Sequence, residues 1–163
     1  DTGPLFGWPI GESKPPTVGE TLVELMASNG WKGAKPWARR ANKIAPTLVG
    51  GSKRHGGPDL GPSRARASWL TLGVDGRGIA DSPPPKDFPT DGVPRLTVRM
   101  AARIQGIPDE WTISGRKTAA YRQVGNAFPP PVAEAIGRSI CRVLRGEAPL
   151  WEPQQHSLPM FVA

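Results

Sequence analysis

The residues Gln123-Val124-Gly125-Asn126-Ala127 are of the types that can hold a small polar ligand. Gly125 and Asn126 tolerate positive φ, so the pair predicts a tight turn that a ligand can approach closely, with backbone groups and the Asn126 carboxamide converging on it. A second constellation is Ser52-Lys53-Arg54-His55, flanked by Gly50-Gly51 and Gly56-Gly57. A glycine-flanked loop of this kind can lie close to an anionic groove, where Lys53 and Arg54 offer donors. His55 has no His or Cys at ligand spacing and reads as a polar loop residue. Arg64 and Arg66 lie near the first turn of a short helix predicted to start at Ser63, where cations oppose the helix dipole and a nearby anion would relieve them. An ordinary solvated surface is the alternative for each of these basic groups.

The elements that must position these groups are short. Pro129, Pro130 and Pro131 exclude helix before them and are tolerated only in the first turn of a helix after them. Val132, Ile136, Ile140 and Val143 then recur at helical spacing. Thr17 to Glu20 is a capping box leading into Leu22, Val23, Leu25 and Met26, with Asn29-Gly30 as the stop. Residues 44–51 read as a strand opening into a glycine turn. Ser63 is the expected cap of the next helix and Gly73 its stop. PPPKDFP reads as a linker. Thr97 is the expected N-cap of a helix ending near Gly106. Met100 stands where Glu would complete a second capping box, which removes one reciprocal hydrogen bond. Arg95, Arg99 and Arg103 are expected to form structural ion pairs. Trp31, Trp37 and Trp111 read as packing residues. Arg116, Lys117, Tyr121 and Arg122 approach the central turn as candidate phosphate or substrate contacts.

Bulk properties narrow the classes. A chain of 163 residues can bury a real core in one or two small domains. The net charge is +7 and the pI is near 10.2, which favours an anionic partner, nucleic acid first. Gly and Pro number 20 each, yet apolar and aromatic residues persist throughout, so the chain reads as loop-rich and folded rather than disordered. A single cysteine, Cys141, allows no internal disulfide and fits a reducing compartment. No apolar run approaches membrane length and no signal-peptide pattern opens the chain.

The order Gln-x-Gly-Asn, a small residue, an apolar residue and Pro-x-Pro at 123–131 closely resembles the last conserved block of the DNA cytosine-5 methyltransferases. Residues 95–109, RLTVRMAARIQGIPD, resemble the block before it, in the family's order and at about its spacing. Thr47-Leu48 resembles the Thr-Leu dipeptide of the family's target-recognition region. The chain departs from the pattern at Met100, where Glu is usual, at Ile107, where an aromatic is common, and at Ala127, where a Ser hydroxyl is lost.

The resemblance implies an α+β fold, in which a small, loop-rich target-recognition domain precedes helices that complete an S-adenosylmethionine-dependent methyltransferase α/β domain. It places residues 1–16 as a lead-in from the catalytic domain, 17–94 as the recognition domain, 95–146 as the conserved blocks that pack on the catalytic domain, and 147–163 as a tail. It implies that Gly125, Asn126 and Ala127 lie by the donor's amino-acid end. Thr47, Lys53, Arg54, His55, Arg64 and Arg66 become candidate contacts to double-stranded DNA. The family's Pro-Cys nucleophile and Glu-Asn-Val motifs do not occur in this sequence, and Cys141 sits in SICRVL. The chain is therefore expected to supply no catalytic residue and no metal ligand, to be inactive alone, and to share S-adenosylmethionine with a catalytic portion, as a separate subunit or an upstream part of a longer chain. A bacterial cytoplasmic restriction-modification setting follows from the family. The alternative is a non-catalytic DNA-binding module derived from it.

Overall fold

The computed structural model describes residues 6, 7, 9, 14–50 and 57–147. Six helices are present among them: α1 (Val18–Ala27), α2 (Ala34–Arg40), α3 (Ser63–Thr71), α4 (Val98–Ile104), α5 (Lys117–Asn126) and α6 (Pro130–Leu144). Among the described residues the only β pairing is two isolated bridges, Gly30 with Pro85 and Ala80 with Thr97. The chain divides into two compact units, one of residues 15–129 and one of residues 1–14 with 130–163.

In the larger unit, α1 starts at the expected capping box. Thr17 Oγ1 accepts from the Glu20 N–H at 3.2 Å, and Glu20 Oε2 accepts from the Thr17 N–H at 2.7 Å. Gly30, at φ +81°, ends the turn after it. Val18, Leu22 and Met26 point one apolar stripe into the core. α1 packs on α2 and on α4, and α4 packs on α5. α2 was not legible from its sequence, because Gly33 and Pro36 look like breakers. Pro36 falls in the first turn, where a missing N–H breaks no helical bond.

Trp31 and Trp37 are core residues, as expected, and each indole N–H is satisfied across a long sequence separation. Trp37 Nε1 donates to the Gly73 carbonyl at 2.9 Å, and Trp31 Nε1 donates to that of Pro89 at 3.0 Å. Trp31 also meets Phe88 edge-on, with ring centroids 5.4 Å apart. These contacts correct the linker reading of PPPKDFP. The segment is pinned to the α1–α2 region by Trp31, and Asn29 Nδ2 donates to the Pro83 carbonyl at 3.0 Å.

The helix after Thr97 forms as expected, with Thr97 Oγ1 accepting from the Met100 N–H at 3.2 Å. The missing Glu is partly replaced, since the Thr97 N–H points at Met100 Sδ, 3.4 Å away. A buried thioether is a weak acceptor that also fills core volume. Three other expectations are corrected. Residues 44–50 form no strand, and neither isolated bridge includes them; what lies against Val49–Gly50 is a helix end rather than an extended segment. Ser63 is the first residue of α3, whose N-cap is Pro62 and makes no side-chain bond. Trp111 is 59% exposed rather than packed.

In the second unit, α6 begins on the prolines as expected. Val132, Ile140 and Leu144 on it are exposed. Glu134 pairs with Arg138 at 2.6 Å one turn on. Cys141 is an exposed free thiol on this helix.

Candidate functional site

The Gln-Val-Gly-Asn stretch is the last turn of a helix. Gly125 and Asn126 close α5, and neither has positive φ. The expected tight turn is therefore replaced by a helix end, and Gly125 is glycine for a different reason. A Cβ built on it would lie 2.6 Å from the Cα of Gly50, 2.7 Å from its nitrogen and 2.8 Å from the Val49 carbonyl carbon. Only hydrogen fits there, because the obstacle is backbone on both sides. The reciprocal is also true: a Cβ on Gly50 would lie 2.6 Å from Asn126 Cγ and 2.8 Å from its Nδ2.

The Val49–Gly50 segment is held on its other side by Gly61, just before α3. Gly61 has φ +103°, and a Cβ there would lie 2.9 Å from Val49 Cγ2. Leu48 is buried in the core while Thr47 is exposed beside it. One junction therefore joins the Thr47-Leu48 dipeptide, the run-up to Arg64 and Arg66, and the Gly125–Asn126 helix end. Lys53, Arg54 and His55 lie outside the described residues. Gly50 precedes their polar stretch by two positions in sequence.

The α5 end is braced by a residue that sequence reading missed. Gln105 Nε2 donates to the carbonyls of Val124 at 3.2 Å and Ala127 at 3.3 Å. The carbonyls at the end of a helix have no intrahelical donor, and one amide serves two of them. The Ala127 N–H donates back to the Val124 carbonyl at 3.2 Å. Both main-chain groups of Ala127 are thus engaged inside the fold. The Asn126 carboxamide is exposed and carries both donors and an acceptor.

The arginines divide into two sets. Arg95 donates to Asp75 at 3.0 Å and Arg77 to the same carboxylate at 2.9 Å. The Arg77 side chain first, with Arg95, holds that carboxyl far below the usual carboxylate range. Arg103 bonds Asp109, reaches the Thr21 carbonyl on α1 at 3.5 Å and lies 3.7 Å from Glu24. Arg99 caps the carbonyls of Pro108 and Trp111 at 3.2 and 2.6 Å. Arg95 and Arg103 thus form the expected ion pairs, whereas Arg99 is corrected: among the described residues it bonds main-chain carbonyls and no carboxylate. Arg64 is exposed, and Arg66 reaches Ser63 Oγ at 3.3 Å. The first turn of α3 carries no acidic residue and no side-chain cap, so its end is electropositive.

Of the residues expected near the central turn, Tyr121 is corrected. It is fully buried, and burial pushes its phenol well above the usual range. Lys117 pairs with Asp81 at 2.9 Å.

The sequence as a whole matches a known class of protein. Residues 23–142 match the family model of the C-5 cytosine-specific DNA methylases, and the chain belongs to that family. It is 59% identical over 145 residues to the type II methyltransferase M.NaeI of Lentzea aerocolonigenes, covering 88% of this chain and 35% of that protein. It is 50% identical over 147 residues to M.NgoMIV of Neisseria gonorrhoeae, covering 88% of this chain and 46% of that protein. With M.Eco47II of Escherichia coli the identity is 49% over 138 residues, 82% of this chain and 30% of the relative. The chain thus spans less than half the length of these relatives. Among the described residues no helix is long and apolar enough to cross a membrane.

Proposed function

We propose that this chain is the target-recognition and cofactor-completing part of a DNA cytosine-5 methyltransferase of the type II restriction-modification kind named for its relatives. Residues 17–94 read the duplex, and residues 95–146 pack on an α/β catalytic domain whose sheet comes from other sequence, either a separate subunit or another part of one polypeptide. The observation that carries this reading is the junction of Val49–Gly50 with Gly125–Asn126. The close approach of residues 49–50 to residues 125–126 supports it, because on this reading the first pair belongs to the recognition segment and the second to the stretch that resembles the family's last block.

The division of labour follows from the residues. S-adenosylmethionine, when bound, supplies the methyl group. Asn126 is the group of this chain that fits its amino-acid end, since a carboxamide can meet both an ammonium and a carboxylate. Ala127 is a spacer rather than a contact, because its N–H and carbonyl already have partners. Arg64 and Arg66, at the electropositive start of α3, neutralise phosphates of double-stranded DNA, and Thr47 is an exposed residue that can meet the duplex. The cytosine must leave the stack to be reached, and nucleophilic attack on it comes from the catalytic portion. The exposed apolar residues Val132, Ile140 and Leu144 of α6 are the surface that portion covers.

Methyl incorporation into duplex DNA tests the proposal, using this chain alone and mixed with a separately made catalytic portion. Activity in the mixture and none from the chain alone is the expected result. Activity from the chain alone overturns it. Intact duplex binding with no activity in either case favours a non-catalytic DNA-binding module.

A further inference from the structure

The glycine contact at the junction has no role in holding a donor or a phosphate, yet it is the tightest backbone approach between the two stretches that the proposed function separates. Val49–Gly50 is confined from three directions. Gly125 lies against the Gly50 Cα and nitrogen, the Asn126 carboxamide lies against the Gly50 Cα hydrogens, and Gly61 lies against the Val49 side chain. Leu48, one residue earlier, is locked in the core at 7% exposure. The backbone from Leu48 to Gly50 therefore has one seat, defined by the end of α5.

Backbone on backbone cannot relax as a side-chain tip can. A Cβ on Gly125 would meet Gly50 and Val49 main-chain atoms, so the whole segment would have to shift. A Cβ on Gly50 meets the Asn126 carboxamide, its carbon as well as its polar atoms, an obstacle that a second substitution removes.

We propose that Gly50 and Gly125 are positioning residues for target recognition. They fix the backbone on either side of Leu48, and so set the register of Thr47 against the DNA. The inference rests on the DNA-reading function proposed above. Displacing a base-reading side chain by the fraction of an ångström that a methyl group demands loses discrimination while leaving phosphate attraction intact, because hydrogen bonds to base edges are directional and charge attraction is not.

The test is selection from a random duplex library by the full 163-residue chain, with the melting temperature of each variant measured alongside. The wild-type chain is expected to enrich one short sequence. Gly50→Ala is expected to lower that enrichment about tenfold or more, the discrimination of one bidentate base contact, with total duplex binding at low salt retained. The double variant Gly50→Ala/Asn126→Ala, in which the obstructing carboxamide is gone, is expected to regain most of it. That rescue separates positioning from simple loss of a glycine.

Equal enrichment by wild type and Gly50→Ala overturns the inference and leaves the DNA-reading function standing. Loss in Gly50→Ala without rescue in the folded double variant also overturns it. If wild type binds duplex without enriching any sequence, or does not bind, the proposed function itself fails and the inference with it. Should Gly50→Ala alone not fold, the double variant still decides. A folded double variant that enriches the wild-type sequence supports the seat, and one that does not overturns it.

Discussion

Gln105 Nε2 lies 3.2 Å from the carbonyl oxygen of Val124, and this single amide ties the family's two conserved blocks together. It closes α5 from outside, adding a side-chain donor to the Ala127 N–H that already reaches the Val124 carbonyl. Gln105→Ala is expected to cost about 1 kcal/mol, because the Ala127 carbonyl loses its side-chain donor and the Val124 carbonyl keeps only the Ala127 N–H, a shift of a few degrees in melting temperature. Gln105→Glu keeps the shape and cannot donate, so it is expected to cost at least as much. Thermal unfolding followed by circular dichroism checks both.

Arg64 is expected to act through phosphate rather than base. Its removal then weakens binding to all duplexes alike and lowers the slope of log affinity against log salt by about one. A salt titration of wild type and Arg64→Ala decides it. An unchanged slope would place Arg64 away from the DNA.

Tyr121 is the chain's only tyrosine, so its ionisation can be followed without interference. Its hydroxyl is buried with no hydrogen-bond partner among the described residues, and burial first, then the charge of Asp59, raise its pKa from an ordinary value near 10.0. A group whose folded pKa is raised contributes stability that is complete below the unfolded pKa and declines as pH rises beyond it. The phenolate absorbance is therefore expected to appear only with unfolding, above about pH 10. Tyr121→Phe is expected to be near neutral in stability at pH 7, because no hydrogen bond is lost. It should also remove part of the alkaline decline. A phenolate signal rising in the folded protein near pH 10 would contradict this burial.

Asp75 runs the opposite way. Its folded pKa is depressed by Arg77 and Arg95 below an ordinary value near 3.8. Stability from the pair is present above that value and is lost as pH falls further. Asp75→Asn is expected to flatten the acid limb of stability below about pH 4. It should also loosen the approach to α4, since Arg95 loses its tether to a carboxylate whose side chain is only 14% exposed. Urea unfolding across acidic pH measures it.

Much of this molecule was legible in its residues, and for a common reason. The Thr17–Glu20 capping box, the Gly30 stop, the Thr97 cap and the proline-led α6 are local: donor, acceptor and φ preference lie within a few positions of one another. The two conserved blocks were legible for a similar reason, since residue order carries them. What sequence could not state was which segments meet. The α2 helix was hidden by Gly33 and Pro36, whose effect depends on falling before and within its first turn. PPPKDFP looked like a linker until Trp31 was placed against Phe88 and Pro89, 57 and 58 positions away. Gly125 looked like a turn residue because glycine's usual warrant is positive φ, whereas its warrant here is the backbone of Gly50 lying against it. Local chemistry is written in neighbouring residues. A close approach between segments 75 positions apart depends on how the whole unit packs, and only the tertiary structure decides it.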